Sequence, residues 1–386
     1  MQRTCCQCQA AFEITPDDLA FYDKVSPVFN GKKELIPPPT LCPDCRQQRR
    51  LGRRNERRQH KRICDATKQA FFSNFPLDAP FLVYSPDAWY ADAWNPTAYG
   101  RPFDFSRPFF EQFDELMRTV PLLGRVAPGN HNCDYTQQCG WSKNCYLIFE
   151  ADYDENCLSS SNIYDSRMCC DLLYAHGCEL CYESIDCQNC YNLRFSHNCT
   201  NCADSWFLRD CIGCRNCIGC VNMRNKEYCI FNRPYAQKEF SEKAAALQLD
   251  THRRIHNCYE ESVHFSMQQP HKPYQGANNE ESSGDYLWNT QRCKDCYDVR
   301  GSQDCRFVFS SRNVKNVYDM TVYGSHGTTE FCYENHCIGH GVKNLYFCDI
   351  SWTGCHDNFY CEFCVDGSNH LFGMREHATW PVLHPQ

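Results

Sequence analysis

What the chain lacks narrows it first. No apolar run approaches the roughly 18 residues that a membrane-spanning helix needs, so no membrane partner is expected. The opening MQRTCCQCQAAFEI carries neither the basic nor the apolar region of a secretion signal. No phosphate-cradling glycine loop, G-x-S-x-G elbow or H-E-x-x-H pair occurs, which removes the familiar signatures of nucleotide hydrolases, serine hydrolases and zinc proteases. Cysteine, by contrast, is abundant, at 33 of 386 residues. Such density belongs to disulfide scaffolds, but those are typically short and secreted. The odd count also leaves at least one thiol without an intrachain disulfide partner. A cytoplasmic, reducing setting is the expectation.

The cysteines from Cys133 to Cys229 fall on a ruler. Cys169, Cys178 and Cys187 are nine apart, and so are Cys202, Cys211, Cys220 and Cys229. Apart from Cys170, each lies a multiple of three from every other. In an extended strand residues i and i+3 face opposite ways, so a turn must separate the two cysteines of each C-x2-C pair. The residue before the cysteine is repeatedly one that tolerates a left-handed backbone: Asn144, Asn156, Gly177, Asp186, Asn189, Asn198, Asn201, Asp210, Gly213, Asn216 and Gly219. These units read as corners of a short-runged β-solenoid whose stacked rungs, about 4.8 Å apart, carry columns of inward sulfur.

Three chemistries fit such columns: packed thiols, disulfides, or metal. Metal loading, by several Zn2+ or an iron-sulfur centre, would fall on Cys178, Cys181, Cys187 and Cys190 or on Cys211, Cys214, Cys217 and Cys220. A second, degraded copy comes later in the chain, because Cys145-Tyr146 and Cys181-Tyr182-Glu183 are 36 apart, as are Cys296-Tyr297 and Cys332-Tyr333-Glu334. There Tyr318, Leu345 and Leu371 stand where the first copy has cysteine. Leu cannot replace a metal ligand, but it can replace a small buried apolar side chain. The column therefore reads as structural in the second copy.

At the N-terminus, Cys5-x2-Cys8 and Cys42-Pro-Asp-Cys45 are two thiolate knuckles suited to one tetrahedral zinc. Between them lie Phe12, Ile14, Thr15, Asp18, Phe21 and Tyr22. This pattern resembles a zinc-ribbon family of small bacterial proteins, members of which run C-x2-C, Phe, Phe/Ile-Thr, an acidic residue, Phe-Tyr, a proline and C-x2-C-Arg. The resemblance covers about an eighth of the chain and departs in an insertion around 26–35. It extends to uncharacterised bacterial proteins that join this ribbon to cysteine-rich repeats, and it implies an architecture without an established activity. Four thiolates leave no open coordination position, so the zinc would be structural.

Arg46, Arg49, Arg50, Arg53, Arg54, Arg57, Arg58, Lys61 and Arg62 come next, at spacings that line one helical face. With one Glu they concentrate +8 in 46–62, leaving −16 elsewhere. Such a stripe suits a phosphate backbone of RNA or DNA, or alternatively the acidic remainder of the chain or a protein partner.

The expected organisation is mainly β, with a zinc ribbon at 1–45, a basic helix at 46–63, and an aromatic, proline-rich wrap with a capping helix at 64–132. The first cysteine-rich β-solenoid then occupies 133–232, a helix and linker 233–285, and the degraded copy 286–386. The helix of the wrap would start at Phe109, and that of 233–285 would carry Phe240, Ala244 and Leu247 on one face. The linker would be irregular apart from a short extended piece at 263–267. His176 and His326, beside glycine and near Glu183 and Glu334, are the recurring titratable set, and a histidine beside a corner glycine is more often a turn residue than a base. The functional reading is a non-enzymatic zinc-binding scaffold that engages nucleic acid or protein. The alternatives are a metal-sequestering protein and a solenoid enzyme acting on a carbohydrate or nucleotide.

Overall fold

Left-handed backbone geometry recurs at every third residue from Asn132 to Phe231. That regularity organises much of the structure, a computed structural model that describes residues 1–29, 31–51, 55, 57–307, 309–312, 314–315, 320, 329–333, 337–338, 343–345, 350–352 and 364–365. The protein is mainly strand, with six short α-helices among the described residues. None of those helices is long and apolar enough to cross a membrane. The chain divides into two compact units. One gathers Met1–Asn55, Trp94–Val120 and the described residues from Lys272 onward; the other holds Glu56–Ala93 and Pro121–His271.

In the second unit, parallel pairing joins residues twelve apart, as in Cys170↔Tyr182, Leu193↔Ser205 and Cys217↔Cys229. Isolated bridges with the same offset extend it from His131↔Lys143 to Ile212↔Arg224. Strands Cys170–Leu173 through Glu227–Ile230 build an open parallel sheet, completed at one edge by the antiparallel pair Arg233–Pro234. The ladder repeat is therefore twelve residues; the nine-residue spacing of cysteines spans three corners and is not the ladder repeat.

The three-residue unit accounts for its own backbone. Most corner amides reach back thirteen residues, as Asn144 N–H does to the His131 carbonyl at 3.0 Å, while the amide before it, Lys143, donates forward to Asp154 at 2.8 Å. The third residue turns inward, and where the inward residue twelve earlier carries a hydroxyl or thiol, that side chain can accept from its amide: Ser142 Oγ from Asp154, Ser160 Oγ from Leu172, Ser205 Oγ from Cys217, Cys202 Sγ from Cys214. Inward thiols and hydroxyls also donate to the carbonyl two residues before them, as Cys145, Cys211, Ser196 and Ser205 do. A buried backbone donor left unpaired would be costly. Cys and Ser are the small side chains that fill the inner space while bonding this backbone.

All eleven corner residues anticipated from the sequence have φ between 48° and 68°. Trp141, Leu147, Tyr153, Met168, Leu180, Phe195 and Phe207 adopt the same conformation, although each such corner costs about 1–2 kcal/mol for a residue with a Cβ.

Several expectations are revised. Among the described residues the basic run is helical over Pro43–Leu51, whereas His60–Ile63 is a strand paired with Ala70–Ser73. The supposed linker contains a sixteen-residue helix, His252–Met267, in place of an extended piece at 263–267. Its Ile255, Cys258 and Tyr259 join Phe207, Ile218, Ile230 and Phe240 in one apolar cluster, and that burial outweighs the polar composition of the segment. The predicted helices are observed at Phe109–Thr119 and Gln237–Ala246.

In the first unit, a second parallel ladder begins at Gly276, ten residues before the expected 286, and continues through Gly284–Trp288, Cys296–Arg300 and Phe309–Arg312. Leu345 lies on a strand paired with Thr329–Cys332, while Tyr318, His326, Glu334 and Leu371 lie outside the described residues.

Candidate metal centre

A hairpin and a helix bring the N-terminal sulfurs together. Gln2–Thr4 pairs antiparallel with Ala11–Glu13, and the intervening turn is closed by Cys5 N–H to the Ala10 carbonyl at 2.9 Å and Gln9 N–H to the Cys5 carbonyl at 3.1 Å. Gln9 takes φ 63° to complete it. Cys6 N–H then reaches the Thr40 carbonyl at 3.0 Å, laying the second knuckle beside the first. Pro43 opens the helix that carries Cys45, a position where its missing N–H is no loss.

The thiols of Cys5, Cys8, Cys42 and Cys45 all lie within 4.8 Å of one another, with Cys8 and Cys42 Sγ 3.6 Å apart. Zinc–sulfur bonds of about 2.3 Å in a tetrahedron place sulfurs about 3.8 Å apart, so this donor set fits one four-thiolate zinc. Burial opposes ionisation of Cys5, yet backbone N–H groups of Cys8, Cys42 and Gln7 outweigh it and hold the thiol down at about 6. Burial and the neighbouring thiols push Cys45 up. Phe12 and Ile14 pack against Cys5, Cys42 and Cys45.

The residues between the knuckles have structural work. Thr15 caps Pro16–Val25 and forms a reciprocal capping box with Asp18. Asp18 also accepts from Arg306, and Tyr22 is buried edge-on against Tyr333 at 5.3 Å.

The basic stripe does not form one open face. Arg46 is 2% exposed, donates to the Leu41 carbonyl at 2.8 Å and lies 5.8 Å above the Phe307 ring. Arg50 is buried. Arg57 donates to Ser161 Oγ at 2.7 Å, and Arg62 is buried, donating to the Phe81 carbonyl at 2.8 Å. Arg49, Arg58 and Lys61 are exposed; Arg53 and Arg54 lie outside the described residues.

The ladder cysteines are mostly spread out along it. Among the described residues one further group gathers, Cys178, Cys181 and Cys190, all buried and with sulfurs within 4.8 Å of one another. Hydrogen bonds from Cys169, Cys181 and Cys190 hold the Cys178 thiol well below its ordinary range. Register shifts here as well, since Leu180 N–H bonds Met168, twelve residues back instead of thirteen. Cys187 is outside the group, and its thiol donates to the Ile185 and Ser196 carbonyls at 3.4 and 3.6 Å. Cys211, Cys214, Cys217 and Cys220 do not form such a group either; the Cys211 and Cys217 thiols donate to the Arg209 and Arg215 carbonyls at 3.3 and 3.2 Å. No disulfide joins any two of the cysteines from Cys5 to Cys305.

His176 and Glu183 are exposed. The His176 ring is tied by Nδ1 to the Tyr164 carbonyl at 2.9 Å. Asp154, which sequence reasoning missed, points inward: Oδ1 accepts from Ser166 N–H at 2.9 Å while Oδ2 is buried with no hydrogen-bond partner among the described residues. Burial pushes its carboxyl up to about 9. Its only sequence signal is the three-residue register it shares with the inward cysteines. No protein-family model, curated protein or solved structure matches the chain.

Proposed function

We propose that the protein is a zinc-stabilised, non-enzymatic binding scaffold in which Cys5, Cys8, Cys42 and Cys45 hold one structural zinc in a ribbon of the zinc-ribbon family. The mutual approach of those four sulfurs within 4.8 Å carries this reading. The repeat over 131–232 is a coil of four three-residue sides per twelve-residue turn, and the ladder from Gly276 is its degraded duplicate. Both are supported by the twelve-residue offset and the left-handed corner at every third residue. Small hydrogen-bonded Cys and Ser side chains share the inside with Ile148, Ile163, Leu172, Leu193 and Leu208. Outside, the coil carries exposed Trp141, Tyr153, Leu158, Met168, Leu180 and Tyr191, which suits binding to another protein better than chemistry.

The test is anaerobic purification, elemental analysis and a thiol count after denaturation. About one zinc per chain, absent from Cys5→Ser/Cys8→Ser, with nearly all other thiols reactive, is the expected outcome. Several metals retained in that variant would favour the second reading, a metal-sequestering protein, for which the Cys178, Cys181 and Cys190 trio is the specific support. Nucleic-acid binding by the basic run has weaker support, because Arg46, Arg50, Arg57 and Arg62 are engaged within the protein. A steep fall of RNA or DNA affinity with salt, abolished by reversing Arg49, Arg58 and Lys61, would restore it.

A further inference from the structure

We infer that residues 60–89 are a second zinc ribbon from which the metal has been lost, with Cys64, Thr67, Ser85 and Ala88 at its four ligand positions. The N-terminal ribbon supplies the comparison. There Cys5, Cys8, Cys42 and Cys45 stand in CCQCQAAF and CPDCR; here the corresponding segments are CDATKQAF and SPDAW.

The backbone repeats bond for bond. Cys5 N–H bonds the Ala10 carbonyl at 2.9 Å, and Cys64 N–H bonds that of Gln69 at 2.8 Å. Gln9 N–H returns to Cys5 at 3.1 Å, and Lys68 N–H returns to Cys64 at 2.9 Å. Gln9 and Lys68 have φ of 63° and 60°. Both knuckles end antiparallel hairpins, with Thr4↔Ala11 and Ile63↔Ala70 as the pairs nearest the turn.

The second half of each ribbon matches as well. Cys6 N–H meets the Thr40 carbonyl, two residues before Cys42, at 3.0 Å; Asp65 N–H meets the Val83 carbonyl, two residues before Ser85, at 3.0 Å. A helix beginning with proline comes next in each case, with Arg46 N–H to Cys42 at 3.0 Å and Trp89 N–H to Ser85 at 2.9 Å.

What replaces the metal is also visible. The Cys64 sulfur is buried and accepts from Thr67 N–H at 3.4 Å and Ser85 N–H at 3.2 Å, the same knuckle amides that face Cys5 in the first ribbon. Such amides stabilise a thiolate that binds metal. At the remaining ligand positions a hydroxyl replaces the thiol at Thr67 and Ser85, and a methyl at Ala88. The site is thus a latent four-coordinate position for a thiophilic divalent cation, preserved in backbone after three of its ligands were exchanged.

The inference uses the zinc reading of the first ribbon for comparison, and the experiment separates the two. The full chain is prepared as wild type, as Thr67→Cys/Ser85→Cys/Ala88→Cys, and as the milder Thr67→Cys/Ser85→Cys; each is reconstituted with zinc and with Co2+. The wild type should hold about one zinc, unchanged by Cys64→Ala, and the triple variant about two, with doubled tetrahedral cobalt–thiolate absorption. The double variant should already add cobalt absorption, with water as the fourth ligand. In the wild type, a zinc chelator should release amide-exchange protection at Cys6, Gln9 and Arg46 but leave Asp65, Lys68 and Trp89 protected. Wild-type chain without zinc would sink the reading of the first ribbon alone. Folded double and triple variants that take up no extra metal, or loss of zinc from Cys64→Ala, would overturn this inference.

Discussion

The N-terminal ribbon and the ladder from Cys133 to Cys229 share the C-x2-C spacing and use it for opposite ends. In the ribbon, the spacing closes a hairpin turn whose two sulfurs face one point, and a second knuckle meets it from a helix start more than thirty residues away. In the ladder, the same spacing sets one side of a corner-and-wall repeat, and successive sulfurs point inward from different corners. One arrangement gathers four thiols closely enough to hold a metal. The other distributes them as small buried groups that bond the backbone. The shared motif therefore says little by itself; the chain on either side of each pair, a hairpin in one case and a stacked corner in the other, determines its chemistry.

Removing a ribbon ligand should break the comparison most visibly. Cys42→Ala should lose the zinc and with it local folding of Met1–Leu51, a loss on the order of 10 kcal/mol in apparent metal-coupled folding, read by elemental analysis and amide exchange. Equal damage from a ladder cysteine would show that the ladder too is built on metal.

A smaller effect is expected inside the ladder at Asp154. Its folded carboxyl is pushed up to about 9 by burial, above the unfolded value of about 3.9. At this group the folded chain then binds more protons than the unfolded one between those values, so its contribution to stability is greatest below about pH 4 and falls by up to about 1.4 kcal/mol per pH unit toward pH 9. Asp154→Asn should flatten that slope and stabilise the protein at pH 8, measured by denaturant unfolding across pH. An unchanged slope would mean that the carboxyl finds a partner.

Corner residues rank below it. Asn144 has φ 54° and exchanges side-chain hydrogen bonds with Asn132 and Asn156 at 2.9 and 3.2 Å. Asn144→Ala should cost about 1–2 kcal/mol, and Asn144→Gly less, by thermal unfolding. The smallest effect should come from Cys157→Ser. Serine fills the same inward role at Ser205, and a hydroxyl can replace the bonds that Cys157 makes to the Glu155 and Ser166 carbonyls. The expected change is within about 1 kcal/mol; loss of bound metal from this variant would transfer the ladder to the ribbon's class.

Much of this contrast was legible in residues. The multiple-of-three spacing marked the inward positions from Cys133 to Cys229, and the Asn, Asp and Gly before the cysteines marked left-handed corners, because these residues tolerate that backbone at low cost. Trp141, Tyr153 and Phe207 gave no such signal, since the ladder's hydrogen bonds impose their conformation. The helix His252–Met267 was hidden by polar composition, and its apolar partners come from distant strands. The second ribbon was hidden because three of its four ligand positions no longer carry sulfur.

Sequence by itself determined the local geometry: where the chain turns, which side chains face inward, and which four thiols can form a knuckle pair. These are consequences of backbone preference and spacing over a few residues. Tertiary structure decided the twelve-residue repeat, the convergence of Cys178 and Cys181 with Cys190 while Cys187 stays apart, and the burial of Arg46, Arg50 and Arg62. Each depends on which distant segment packs against a given side chain, and spacing along the chain does not contain that information.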